Sequence, residues 1–217
     1  MIKIIPAILE RDIDNFIKQV KLFTNFGDID IDIAENSFAG NETIGLSEII
    51  DRDIKINNKS IGFHLMVNNP KNQVQMLLNS KYKEKSVNIF IHQESNGIEG
   101  IISSLPSNWG LHICVKNESE LKDLDFYEMY DGIQIMTVSI GNQGGMFDKD
   151  SLKKVDRLRA LGYNKKITID GGVNLETSNL IKQHKVNRVS VGSYFKNAKN
   201  ISNAFKELDF ALNGESK

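Results

Sequence analysis

The feature that most constrains this chain is an alternation. Short runs rich in Ile, Val and Phe recur eight times along 217 residues, and between them lie segments whose apolar residues return at threes and fours. The short β-branched runs read as strands and the longer periodic segments as amphipathic helices. The spacing predicts strands over residues 2–5, 28–33, 60–66, 87–92, 110–115, 132–138, 166–170 and 188–192, with helical patterns such as 13–26 and 152–161 between them. No Pro/Gly-rich linker or low-complexity stretch interrupts the cycle, so residues 1–217 read as one domain. Eight β/α cycles in a chain of this length predict an α/β fold, the (β/α)8 TIM barrel, in which functional groups gather at the C-terminal ends of the strands. An open doubly wound sheet would concentrate its polar groups at one switch point instead.

The predicted strand ends carry polar chemistry at many places. Ile167-Thr168-Ile169-Asp170-Gly171-Gly172-Val173-Asn174 is an apolar strand that ends on a carboxylate and turns through two glycines into a helix start. Glycines there let backbone N–H groups approach an anion closely, and the helix start adds its positive end. Val189-Ser190-Val191-Gly192-Ser193 repeats the device some twenty residues later, which points to a phosphorylated ligand. The same ends supply Asp30 and Asp32, His64 and Met66, His92, and Met136. Asp30 and Asp32 stand two apart on one strand, so both side chains are expected on the same face, inside the barrel. Three carboxylates and an imidazole brought to one mouth repel unless a divalent cation compensates or a carboxyl stays neutral.

Composition narrows the partners. A net charge of −1, with 27 basic against 28 acidic residues, offers no basic face for nucleic acid. No apolar run reaches membrane-spanning length and the N-terminus turns polar too early for a signal peptide, so the expectation is a cytoplasmic protein without a membrane partner. The lone Cys114 excludes an internal disulfide and, with Trp109 and His112, reads as packing. His184 and the pair Lys153-Lys154 read as surface, and Asp51-Arg52-Asp53 as an exposed helix end.

Several short motifs in order resemble the ribulose-phosphate 3-epimerase family. Ile5-Pro6-Ala7-Ile8-Leu9 resembles its first-strand Pro-Ser-Ile-Leu, and Phe38-Ala39-Gly40-Asn41 its Phe-Val-Pro-Asn. His64-Leu65-Met66-Val67 matches the third-strand motif in full. Met136-Thr137-Val138 with Gly141-Asn142-Gln143-Gly144-Gly145-Met146-Phe147 resembles the sixth strand and its glycine-rich loop, and Asp170-Gly171-Gly172-Val173-Asn174 and Gly192-Ser193 complete the series.

The resemblance implies a metal-assisted isomerase of the pentose phosphate pathway on a ribulose-phosphate-binding barrel, acting on a small-molecule sugar phosphate. It implies a divalent metal ion (Mn, Mg, Zn or Fe) on Asp30, Asp32, His64 and Asp170, with Asp32 and Asp170 as the acid and base at C3. Met66 and Met136 would line the apolar side of the pocket. Gly144, Gly145, Gly171, Gly172, Gly192 and Ser193 would hold the phosphate, and His92 would support from behind. Family members often form homo-oligomers, and nothing in the sequence marks an interface. Departures are plain: Asp30 stands where the family has a metal-binding His, Ala7 replaces a Ser, Ala34-Glu35-Asn36 replaces Met-Asp-Gly, and Ser139-Ile140 replaces Asn-Pro or Asp-Pro. A ligand set with one imidazole fewer leans from zinc toward manganese or magnesium. Two alternatives stay open: another enzyme on the same barrel, although residues 28–32 lack the Lys of the decarboxylase motif, and a sugar-phosphate binder without chemistry.

Overall fold

A computed structural model of the chain describes residues 1–141 and 144–214. Eight parallel strands, β1 (Lys3–Ile8), β2 (Asp28–Ala34), β3 (Ser60–Met66), β4 (Ser86–His92), β5 (Trp109–Val115), β6 (Gly132–Met136), β7 (Lys166–Asp170) and β8 (Arg188–Val191), pair in chain order. β8 returns to β1 and closes the barrel. β3 and β7 run over the expected residues. β1 continues past its expected end at Ile5, because Pro6 removes one ladder donor without disturbing the extended backbone, and it pairs with Val191. β6 stops two residues short of the expected 138. The first long helix, Ile13–Leu22, ends at the Phe23 cap rather than running to 26.

Strand periodicity sorts the residues into two environments. Ile29, Ile31 and Ile33 of β2, Ile61, Phe63 and Leu65 of β3, and their counterparts on the other strands belong to one large core packed against the helices. The alternate residues face inward, and there the chain is unusually polar: Asp30, Asp32, His64, His92, His112, Gln134, Thr168, Asp170 and Ser190 are all buried. Barrel interiors are commonly filled by branched aliphatics. Here the aliphatic face supplies the hydrophobic stabilisation outside the barrel, and the interior is free to carry hydrogen-bonded chemistry.

The outer helices are set by local signals. Asp12 accepts from the Asn15 amide at 2.9 Å and so caps Ile13–Leu22. Asn69 followed by Pro70 starts Pro70–Leu78, and Asn174 with Thr177 closes a capping box on Leu175–Ile181. Among the described residues, no helix is long and apolar enough to cross a membrane.

Candidate active site

Register places the functional side chains. Asp32 of β2 lies beside His64 of β3, and Met136 of β6 beside Asp170 of β7, all near the C-terminal end of the barrel. The two carboxylates converge on one nitrogen of the His64 ring: its Nδ1 is 3.0 Å from Asp32 Oδ1 and 3.3 Å from Asp170 Oδ2. Ionised carboxylates only accept, so Nδ1 carries the hydrogen when no cation is present. The three residues are 7%, 2% and 9% exposed, in the order Asp32, His64, Asp170. Gln134 of β6 donates from Nε2 to Asp170 Oδ2 at 2.8 Å and fixes that carboxylate from the neighbouring strand.

Burial sets the electrostatics. Desolvation pushes the Asp32 carboxyl up to about 6, against the lowering effect of its His64 hydrogen bond. For His64, burial opposes the charged form, but the surrounding Cys114, Asp170 and Asp32 outweigh it and hold the ring well above 6.5. Behind it, burial takes His92 down to about 4 and pushes the Cys114 thiol up.

The mouth above these groups is a pocket. Asp32, His64 and Asp170 line it together with the apolar Met66 and Met136 and with Gly144, Gly171, Gly172, Gly192 and Ser193. Gly171 and Gly172 hold φ of 107° and 65°, a left-handed pair that turns the chain directly after Asp170. Thr137 secures this turn by donating to Asp170 O and Gly171 O at 3.0 and 2.6 Å.

Two expected site residues fall elsewhere. Asp30 does not join the group at the mouth: its carboxylate accepts from Arg188 Nη2 and, at 2.8 Å, from Ser190 Oγ, and it lines a separate cavity at the barrel floor. Two residues along a strand share a face but differ in height by about 6.6 Å. Gly145 lies beside Phe147 and Asp148 in a neighbouring depression rather than in the mouth pocket. Asn142 and Gln143 lie outside the described residues. His112 also belongs to the floor, stacked on Phe90 with ring centroids 4.6 Å apart. Lys154 is not simply solvated: it donates to the carbonyls of Lys116 and Asn117 at 2.9 and 2.6 Å. Sequence reasoning passed over Gln134 and Arg188. Gln134 stands two residues from Met136 in an otherwise apolar strand, and that spacing alone puts it on the inward face.

A closed eight-stranded parallel barrel with carboxylates at strand ends over a glycine-lined pocket is the architecture of (β/α)8 enzymes. A sequence model described as the ribulose-phosphate 3 epimerase family matches residues 3–196, and the chain belongs to that family, a family of isomerases. It is 26% identical over 216 residues to the chloroplastic ribulose-5-phosphate-3-epimerase of Arabidopsis thaliana, covering 94% of this chain and 74% of that one. It is 27% identical over 197 residues to ribulose-phosphate 3-epimerase of Schizosaccharomyces pombe, covering 88% and 85%. The fold is similar to that of 3-hexulose-6-phosphate synthase from Salmonella typhimurium, with a TM-score of 0.67 at 13% identity over 97% of this chain and 98% of that one.

Proposed function

We propose that the chain is a ketose-phosphate 3-epimerase acting on ribulose 5-phosphate and xylulose 5-phosphate, or on a related hexulose 6-phosphate, in the cytoplasm. The observation that carries this reading is the pair Asp32 and Asp170, which reach from β2 and β7 to the same nitrogen of His64. With the ketose carbon between them, the Asp170 carboxylate takes the C3 proton from one face. The Asp32 carboxyl, which burial raises toward its neutral form, delivers a proton to C3 from the other, so the configuration inverts and Asp32 is left ionised; the reverse reaction exchanges the roles. Gln134 holds Asp170 in place during both transfers. The backbone of Gly144, Gly171, Gly172, Gly192 and Ser193 faces the phosphate, while Met66 and Met136 exclude water from the reacting end.

Asp32, His64 and Asp170 fit a divalent cation. Each offers one ligand atom, those atoms lie within 4.8 Å of one another, and the set is two hard oxygens and one imidazole. Asp30 is excluded from that set by Arg188. When bound, such a cation supplies positive charge for the oxygens on which negative charge builds as C3 loses its proton. With one imidazole and two carboxylates, the set favours manganese or magnesium over zinc.

The test is proton NMR in deuterium oxide, following exchange at C3 of ribulose 5-phosphate and of a hexulose 6-phosphate with added manganese or magnesium. Exchange with epimer formation is expected, and Asp32→Asn or Asp170→Asn is expected to slow it by about 10²–10⁴. Full exchange in either variant would remove the two-base assignment.

A further inference from the structure

The two nitrogens of the His64 ring face different chemistry. Nδ1 meets the carboxylates of Asp32 and Asp170, while Nε2 lies 2.9 Å from Nε2 of His92, whose ring plane is 22° from its own. Cys114 of β5 pairs with His92 in the strand register, and its thiol completes a second triad: the ligand atoms of His64, His92 and Cys114 also lie within 4.8 Å of one another, and all three residues are buried. We propose that His64, His92 and Cys114 form a second cation site, selective for a thiophilic ion such as zinc, which excludes occupation of the carboxylate site because both claim the same imidazole.

The surroundings of His92 support a ligand role. Its Nδ1 lies 3.5 Å from Glu94 Oε2, and neither atom has a hydrogen-bond partner. A carboxylate beyond one ring nitrogen orients the hydrogen to that side and leaves the lone pair on the other, the arrangement by which outer carboxylates set metal-binding histidines. Two imidazoles and a thiolate make a soft set that suits zinc and is poor for magnesium. Entry of the cation releases the Cys114 proton, as thiol ligation requires.

Exclusivity follows from tautomer. An ion on Nε2 leaves the ring hydrogen on Nδ1, where Asp32 accepts it and the carboxylate site loses its nitrogen ligand. An ion on Nδ1 puts the hydrogen on Nε2, donating to His92. The ring can serve one ion or the other.

Cobalt(II) titration of the whole, reduced chain tests this independently of turnover. Cys114 is the chain's sole cysteine, so a thiolate-to-cobalt charge-transfer band can arise from no other residue. The band is expected to appear at one cobalt per chain, to be displaced by zinc, and to vanish in Cys114→Ser. Glu94→Gln, which leaves all three ligands in place, is expected to weaken cobalt binding at this site by about 10- to 100-fold. A cobalt spectrum without the thiolate band overturns the proposal and leaves the epimerase reading intact. An unchanged affinity in Glu94→Gln overturns the role of His92. In the epimerase assay, zinc is expected to inhibit manganese-supported exchange, and Cys114→Ser to relieve that inhibition.

Discussion

Arg188 holds Asp30 at the floor of the barrel. The guanidinium donates to the carboxylate from β8 and lies over the Phe90 ring at 4.8 Å, while the two side chains are 14% and 3% exposed. Truncating the arginine leaves a carboxylate buried without its charge partner, which costs far more than the pair itself contributes. Arg188→Leu is therefore expected to lower stability by about 3–5 kcal/mol, and the double variant with Asp30→Asn to recover much of that loss. Urea unfolding with an unchanged m-value measures both. A loss below 1 kcal/mol in the single variant would show that water already reaches Asp30.

Gln134 bears on rate rather than on fold. Its amide donates to Asp170 Oδ2, and a hydrogen bond to a charged group contributes about 1.5–3 kcal/mol. If that bond holds Asp170 in the geometry for proton transfer, Gln134→Leu should reduce kcat by roughly tenfold to a hundredfold and leave KM for the sugar phosphate nearly unchanged. Steady-state kinetics separate the two. A rise in KM with constant kcat would instead place Gln134 in substrate binding.

The turn after β7 has little room for a side chain. A Cβ on Gly171 would come within 2.4 Å of Val138 Cγ2, and its φ of 107° is itself unfavourable for other residues. Gly144, with φ 78°, has nothing within 4 Å of such a Cβ. Gly171→Ala is expected to destabilise by about 1–3 kcal/mol and to raise KM by displacing the backbone that faces the phosphate, with Gly144→Ala having the smaller effect on both. Thermal melts and KM for both variants decide it; equal effects would show that strain in φ, and not the Val138 contact, sets the outcome.

These residues also show what a sequence can and cannot disclose. Ile29, Ile31 and Ile33 alternate with Asp30 and Asp32, and that period of two identified the strand, its faces and the inward carboxylates. It did not give height along the barrel axis, which separates Asp30 from Asp32. Nor could it pair Asp30 with Arg188, 158 residues away, since closure of β8 onto β1 creates that contact. His64, His92, Asp170 and the glycines that line the mouth pocket were legible because each lies at or just past a strand end, where the fold collects its chemistry. Gln134 and Cys114 sit within apolar strands, and only the register of β4, β5, β6 and β7 brings them near Asp170 and His64.

The floor further predicts how stability follows pH. Burial, with help from the Arg188 and Lys166 charges, takes His112 down to about 3, while in the unfolded chain it titrates near 6.5. A histidine whose folded pKa is depressed contributes stability that is complete above 6.5 and is lost as pH falls toward its folded value. His92, held at about 4, adds to the same loss, whereas the raised His64 and Asp32 act in the opposite sense, favouring the folded state at low pH. The net slope therefore mixes signs, and a variant isolates the floor. His112→Leu removes the titration but keeps an apolar group against Phe90, so its Tm should fall less steeply than that of the parent between pH 6.5 and 4, even if it starts lower from the lost Asn88 hydrogen bond. Parallel Tm–pH curves would mean that the His112 ring is already protonated in the folded chain, with its charge answered by Asp30 or Asp131 rather than excluded by burial.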